Sequence, residues 1–335
     1  MPIPKAIDAP VASLLKRSGR FTGDRMFWLL TLAMGLSVFG LLILIGYELA
    51  HGSQLAMTRF GWRFLVSSDW NPVEEKYGAL PFIFGTLVSS AIALAIAVPL
   101  SIATAVYLTE LAPRWLSQVL VIFIELLAAV PSVILGLWGI LVMVPWLREY
   151  VFPTLRDIFG FLPLFQGPIY GPCILSAGFI LAIMILPIIT SVSREILRSV
   201  PGLQREAAYA LGATRWEVTR IAVLSYARKG LFGAVILGLG RALGETMAVT
   251  MVIGNSPHIA ASLFAPGDTL ASLIANQFTE APPAPSLGLS SLFEIGLVLL
   301  GVTIVVNGLA RVLLETFTTS AATPLFRLTK LRPQP

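Results

Sequence analysis

Long stretches of apolar residues, separated by short polar segments, dominate this chain. A helix that crosses the hydrocarbon core of a bilayer needs about 20 predominantly apolar residues. Six stretches reach that length, at 27–49, 80–108, 116–145, 172–196, 231–253 and 289–314. Pro99, Pro131 and Pro187 fall inside three of them, and we expect kinks there because proline removes a backbone donor. The pattern predicts an all-α polytopic membrane protein with six transmembrane helices.

Lysine and arginine are unevenly distributed among the segments between these stretches. They are frequent before the first stretch, in the 199–230 loop and near the C-terminus, whereas the 254–288 loop contains neither. Loops rich in lysine and arginine tend to stay on the cytoplasmic side. We therefore predict that both termini are cytoplasmic, with tails at 1–26 and 317–335 flanking a six-helix domain at 27–316.

The composition agrees with a membrane protein and excludes several other classes. Of 335 residues, 56% are hydrophobic and 12% are charged, whereas soluble domains average about 25% charged residues. The single cysteine, Cys173, excludes an internal disulfide framework, and two histidines are too few for a histidine-based metal cluster. We interpret the net charge of +5 as a topology signal rather than as nucleic-acid binding. The chain also lacks a Gly-x-x-x-x-Gly-Lys-Ser/Thr phosphate loop, so we expect any ATP hydrolysis on a separate subunit.

The 199–230 loop has the start and stop signals of two helices. Pro201 suits a first helical turn, Gly212 suits the position after a helix end, and Thr214-x-x-Glu217 is a capping box for a second helix. At helical spacing, one face of the first helix would carry Leu203, Ala207, Ala210 and Leu211. We predict a helix–turn–helix elbow that could transmit a displacement. The alternative is an ordinary amphipathic helix at the membrane interface.

The fifth apolar stretch contains an arginine and a glutamate. Arg241 lies about ten residues in, roughly 15 Å deep in a hydrocarbon slab about 30 Å thick. An arginine there costs about 2.5–3.5 kcal/mol on insertion scales, so it normally faces a cavity or a partner. Glu245 follows four residues later, and we expect both on one helix face. The two residues form either an internal ion pair or a site where Arg241 binds an oxyanion and Glu245 tunes its release.

Other polar and small residues within the apolar stretches have competing interpretations. A carboxylate at position 245 would repel a fully ionised oxyanion yet accept a hydrogen bond from a protonated one, so we hypothesise a preference for hydrogen phosphate over sulfate. Glu125 could partner Arg241, satisfy a backbone gap near Pro131, or act in a gate or pathway. Gly240-x-x-x-Gly244 predicts a close helix contact.

The external loop is expected to contain a short helix. Asp268 could cap a helix from Thr269 to Phe278. That helix either contacts an external partner or packs over the ends of the membrane helices.

Several segments resemble a known family. Glu206-Ala207-Ala208, followed by Gly212 and Leu224, resembles the cytoplasmic signature of ABC-importer permeases, although the signature's Ile and Pro are replaced by Ala222 and Ser225. Residues 125–139 and 237–255, the latter reading LGLGRALGETMAVTMVIGN, strongly resemble permeases of phosphate importers.

The resemblance implies a type I ABC-importer permease fold in a bacterial cytoplasmic (inner) membrane. It implies that Glu206, Ala207, Ala208 and Gly212 lie at the contact with an ATPase, and that Arg241 and Glu245 act in phosphate passage, with Glu125 as a further candidate. The implied partners are a second homologous permease, two ATPase subunits that use ATP and Mg, and an external phosphate-binding protein; no cofactor is expected on this chain. The alternatives are a permease for a related oxyanion and a proton-coupled carrier that works alone.

Overall fold

The computed structural model of this chain describes residues 21–283 and 285–319. Within these residues the regular structure is helical, apart from one isolated antiparallel bridge between Asn71 and Lys76. Most of the two predicted tails lies outside the described residues, so those boundaries stay predictions. The prediction of six membrane helices is confirmed, since six helices are long and apolar enough to cross a bilayer: Gly23–Gly52, Leu80–Leu111, Ser132–Phe159, Ile174–Arg198, Arg215–Gly244 and Leu287–Val312.

The structure divides into two units after His51. The first unit contains helix α1, which begins at Phe21 and ends at Gly52. Its 32 residues correspond to about 48 Å of helix, enough to cross the hydrocarbon core and extend beyond it.

The second unit contains the other helices, and most of them are much shorter than α1. In chain order they are α2 (Gln54–Phe60), α3 (Arg63–Val66), α4 (Leu80–Leu111), α5 (Arg114–Ala129), α6 (Ser132–Phe159), α7 (Ile174–Arg198), α8 (Gly202–Ala210), α9 (Arg215–Gly244), α10 (Met247–Ile253), α11 (Leu270–Gln277) and α12 (Leu287–Thr319).

The core of this unit is built around α7, which packs against α4 and α9. Its apolar face is buried, with Ile180, Ile185 and Ile189 fully inaccessible. Pro187 lies inside α7, and Pro99 inside α4, without ending either helix. The buried position of α7 makes it the fixed element against which the neighbouring helices are placed.

The predicted third span, 116–145, is wrong in its boundaries. The chain is extended at Val130 and Pro131, with ψ of 126° and 138°, so α5 ends at Ala129 and α6 begins at Ser132. A proline lacks the N–H that would continue a helix and disfavours the helical conformation of the residue before it. Pro131 therefore separates two helices instead of kinking one, and the third crossing helix is α6.

The predicted fifth span, 231–253, is also interrupted. Helix α9 ends at Gly244, Glu245 is extended (φ −72°, ψ 130°), and α10 begins at Met247. At the other end, α9 begins at Arg215, well before the apolar stretch. The expectation that Arg241 and Glu245 share one face of a continuous helix is therefore wrong.

The predicted short helix of the 254–288 loop, α11, is confirmed, with Thr269 rather than Asp268 as its N-cap residue. The Thr269 N–H and the Ser272 hydroxyl both donate to the buried Asp268 carboxylate, and burial raises its pKa to about 6. The Leu270 N–H donates to Thr86 Oγ1 on α4 at 3.0 Å. A Cβ on Gly85 would overlap the Asp268 carbonyl oxygen, so this close approach requires glycine. These contacts favour the packing interpretation of α11.

Candidate functional site

The break after α9 determines where the two predicted site residues lie. Arg241 is in the last turn of α9, where a positive charge interacts favourably with the helix dipole. Glu245 is the C-cap residue of α9, and its Oε1 accepts a long hydrogen bond, 3.5 Å, from the N–H of Ala248 in α10. The glutamate therefore belongs to the junction between two helices.

Arg241 and Glu245 form an ion pair across this junction. The Arg241 Nη2 to Glu245 Oε2 distance is 3.6 Å, longer than a hydrogen bond. The Arg241 side chain is 46% exposed, whereas that of Glu245 is 7% exposed. Within the part of the chain that the structure describes, the Arg241 guanidinium makes no hydrogen bond. The arginine is thus oriented by a buried carboxylate while its donors stay accessible.

The exposed side of Arg241 faces an open groove of about 1060 Å³ between α9 and α12. We call this the arginine groove, and it is lined by Ile188, Gly233, Ile236, Leu237, Gly240, Arg241, Ile304, Asn307, Gly308 and Arg311. A Cβ added to Gly233, Gly240 or Gly308 would meet no atom within 4 Å. The glycines therefore widen the groove.

The predicted close contact at Gly240 and Gly244 is wrong for the described residues, because a Cβ at either position would meet no atom within 4 Å. The close approach occurs instead at Gly238, where a Cβ would come within 2.6 Å of the Ile189 side chain on α7. Because Gly238 and Gly240 lie on different sides of α9, one glycine packs against the core and the other borders the groove.

Glu125 is not brought to this site. It lies on α5 and is exposed, and no ion pair joins it to Arg241 among the residues the structure describes. It lies within electrostatic range of Arg194 on α7 instead. Its proposed role as the partner of Arg241 finds no support in this arrangement.

The elbow, residues 199–217, has the predicted helix–turn–helix form. Helix α8 follows Pro201, Gly212 has a φ of +82° just after the helix end, and the Thr214–Glu217 capping box is complete. Three of the four predicted ATPase-contact residues, Glu206, Ala207 and Gly212, are exposed, and Ala208 is half-buried.

The sequence interpretation missed the residue that holds the elbow in place. Arg205 on α8 donates to Glu110 Oε1 at the end of α4, at 2.9 Å. It also donates to the carbonyl of Leu197 in the last turn of α7, at 2.9 Å, and to that of Val200 just after α7, at 2.6 Å. A local sequence pattern could not reveal this link, because Arg205 and Glu110 are 95 residues apart. The elbow is thereby fixed to two core helices.

Comparison with known proteins identifies the family. Residues 97–317 match the family described as binding-protein-dependent transport system inner membrane component. The chain belongs to this family. It is therefore the inner-membrane permease subunit of an ABC importer, it is not an enzyme, and ATP hydrolysis takes place on a separate subunit. Membership also implies an ATPase and a substrate-binding protein as partners.

Individual relatives are similar to this permease over most of its length. A phosphate transport system permease protein PstC from Mesorhizobium japonicum is 48% identical over 295 residues, 87% of this chain and 90% of the relative. One from Xylella fastidiosa (strain 9a5c) is 46% identical over 316 residues, 93% and 96% of the two chains.

A solved structure supports the fold of this permease. A chain in an inward-facing structure of the MetNI methionine ABC transporter superposes with a TM-score of 0.51, covering 70% of this chain and 94% of that one. The two sequences are 16% identical, so the likeness concerns the fold alone.

Proposed function

We propose that this permease carries inorganic phosphate across the inner membrane as part of an ATP-driven importer. The observation that carries the proposal is the Arg241 guanidinium, which faces an open groove with one carboxylate at ion-pair distance. A guanidinium offers five donors in a planar fork that matches the oxygens of a phosphate. The relatives reported above, at 46% and 48% identity, are named as phosphate transport system permeases, which supports phosphate as the cargo.

Glu245 has a defined part in this proposal. Its buried carboxylate orients Arg241 when no anion is present and competes with the anion for the guanidinium, which favours release. A carboxylate also accepts a hydrogen bond from a protonated phosphate but not from sulfate. We therefore propose that Glu245 favours hydrogen phosphate over sulfate.

The elbow is the proposed docking site for the ATPase. Leu203 and Leu211 are 76% and 90% exposed, and the predicted contact residues Glu206, Ala207 and Gly212 in the same segment are exposed too, whereas Ala208 is half-buried. Apolar side chains this exposed favour contact with another protein. Because Arg205 ties the elbow to α4 and α7, a displacement of the elbow would reach the core.

The proposed complex contains a second homologous permease, two ATPase subunits and an external phosphate-binding protein. ATP and Mg²⁺ bind to the ATPase subunits, and this chain needs no cofactor of its own. Alternating access then exposes the arginine groove to one side of the membrane at a time. A proton-coupled carrier that works alone is disfavoured, since the family depends on a binding protein.

The first test is phosphate uptake by the complete complex reconstituted in vesicles. Arg241→Gln should lower uptake at least about a hundredfold, and Arg241→Lys should recover only part of it because lysine lacks the planar fork. Arg228→Gln is the matched control, since Arg228 is exposed on the same helix outside the groove lining. Normal uptake by Arg241→Gln, in complexes that co-purify and hydrolyse ATP as the wild type does, would contradict the proposal.

The second test concerns anion choice. Phosphate uptake by the wild type and by Glu245→Gln is measured with increasing sulfate as competitor. We expect the variant to be inhibited at lower sulfate concentrations, because glutamine no longer repels sulfate, which has no proton to donate to the carboxylate. If both proteins show the same inhibition curve, Glu245 does not set the preference.

A further inference from the structure

The arginine groove contains a second cationic residue, Arg311, which has no role in the function proposed above. Arg311 on α12 lines the same groove as Arg241 on α9, and Asn307, one turn before Arg311, lines it too. Gly308 lies between them and leaves open space above its Cα. The polar side chains of the groove thus form two groups, one on each helix.

The two groups lie at different depths. As consecutive crossing helices, α9 and α12 run in opposite directions. Arg241 follows Gly233 by about 12 Å along α9, and Arg311 follows Ile304 by about 10 Å along α12. Arg241 is therefore at the Ile304 end of the groove and Arg311 at the Gly233 end. The two arginines are separated by roughly 10 Å along the groove, about two helical turns.

The donors of the second group have no partner among the side chains that the structure describes, which on α12 extend to Val312. Within these side chains neither Asn307 nor Arg311 makes a hydrogen bond, and no carboxylate lies at ion-pair distance from Arg311. Arg311 lies 24 residues, about 36 Å, beyond the start of α12. Since the hydrocarbon core is about 30 Å thick, Arg311 is near its far boundary, while Arg241 lies deeper.

We propose that Asn307 and Arg311 form a second oxyanion-binding site, which receives the anion from Arg241 and passes it out of the groove. The inference rests on the proposed function, since it assumes that Arg241 binds the travelling anion. The amide and the guanidinium supply adjacent donors that suit a tetrahedral oxyanion. A pathway with several weak sites lets an ion leave each one, whereas a single strong site would retain it.

The proposal is tested by phosphate uptake in the reconstituted complex with Arg311→Gln. Arg311→Gln should lower the maximal uptake rate at least tenfold per assembled complex, without changing the concentration of loaded binding protein that gives half-maximal uptake. Arg228→Gln removes a positive charge from α9 outside the groove, and it should stay within twofold of the wild type. A general contribution of Arg311 to membrane orientation would instead reduce the amount of assembled complex.

A pair of glycine variants tests the site without removing a charge. Gly308→Leu places a side chain between Asn307 and Arg311, whereas Gly301→Leu places one on the same helix in a separate apolar groove that contains Trp62 and Leu297. Both glycines have open space, so neither variant should disturb folding. We expect Gly308→Leu to lower uptake at least tenfold and Gly301→Leu to leave it unchanged.

The outcomes separate the two proposals. Absence of phosphate uptake by the assembled wild-type complex would overturn the proposed function itself. Uptake by the wild type, with Arg311→Gln matching Arg228→Gln and Gly308→Leu matching Gly301→Leu, would overturn the second site alone. If Arg311→Gln fails to assemble, the glycine pair decides the question.

Discussion

The elbow and the arginine groove each contain an arginine beside a glutamate, and the two arginines are held in opposite ways. Arg205 donates three hydrogen bonds at 2.6–2.9 Å to Glu110 and to two backbone carbonyls, and its side chain is 24% exposed. Arg241 has one carboxylate at 3.6 Å, makes no hydrogen bond within the described residues and is 46% exposed. The N–H groups of Arg205 are hydrogen-bonded to protein oxygens, whereas those of Arg241 remain accessible to a solute.

This difference distinguishes a structural arginine from one that can bind a solute. A guanidinium that is hydrogen-bonded to protein oxygens contributes to stability, and its removal leaves buried acceptors without partners. A guanidinium with free donors contributes little to stability. It is retained inside an apolar segment only if something else interacts with it. The comparison therefore predicts opposite effects on stability and on transport for the two arginines.

The largest effect on stability is expected for Arg205→Met. The change leaves Glu110, which is 14% exposed, without its counter-charge and removes the bonds to the end of α7, so we expect a loss of about 3 kcal/mol. Hydrogen exchange of the amides at 202–217 should accelerate, and ATP-coupled uptake should fall more than tenfold. Glu110→Gln is the milder control because it keeps an acceptor for Arg205. Unchanged exchange in Arg205→Met would show that the elbow is not held by this residue.

The next largest effect separates the two sides of α9. Gly238→Leu would force a side chain into Ile189 on α7, and overpacking of this kind costs about 1–3 kcal/mol. Gly240→Leu enters open space and should not destabilise the protein, but it should obstruct the groove and lower uptake. Thermal inactivation in detergent measures the first effect, and uptake measures the second. Equal melting temperatures for the two variants would contradict the packing described here.

A smaller effect is expected for Thr214→Ala in the elbow. The Thr214 side chain accepts a hydrogen bond from the Glu217 N–H, and the Glu217 carboxylate accepts one from the Thr214 N–H. Loss of an N-cap of this kind costs about 1 kcal/mol. The amides of 214–218 should exchange about fivefold faster, whereas Thr214→Ser, which keeps the hydroxyl, should exchange like the wild type. Identical exchange in all three proteins would contradict the role of this cap.

The smallest effect on stability is expected for Arg241→Gln. Arg241 is 46% exposed, lies 3.6 Å from Glu245 and makes no hydrogen bond within the described residues, and the buried Glu245 keeps the Ala248 N–H as a donor. We therefore expect the melting temperature to fall by only a few degrees, less than in Arg205→Met, while phosphate uptake is lost. A large loss of uptake with a small loss of stability is the opposite of what we expect from a residue that only holds the fold together, as Arg205 does. A fall in stability as large as that of Arg205→Met would show that Arg241 stabilises the fold, and would contradict its proposed role in binding the solute.

Much of the fold could be predicted from the sequence, because hydrophobic length and local start and stop signals are properties of short segments. The six crossing helices, the capping box at Thr214 and the helix end at Gly212 follow from such signals, and all are present. The errors concern the interruptions at Pro131 and at Glu245. A hydropathy pattern reports how apolar a segment is, not whether its backbone is continuous, so both interruptions were hidden inside apolar stretches.

The sequence by itself determined that this chain crosses a membrane, that it carries a helical elbow between the fourth and fifth crossing helices, and that Arg241 lies in an apolar segment. Only the tertiary structure decided which arginine is hydrogen-bonded within the protein and which has accessible donors, because Arg205 contacts residues of α4 and α7 that are distant in the chain. The same applies to the glycines of α9, since only packing distinguishes Gly238 against α7 from Gly240 beside the groove. Local patterns specify helices, whereas the free donors and the open space depend on which helices meet.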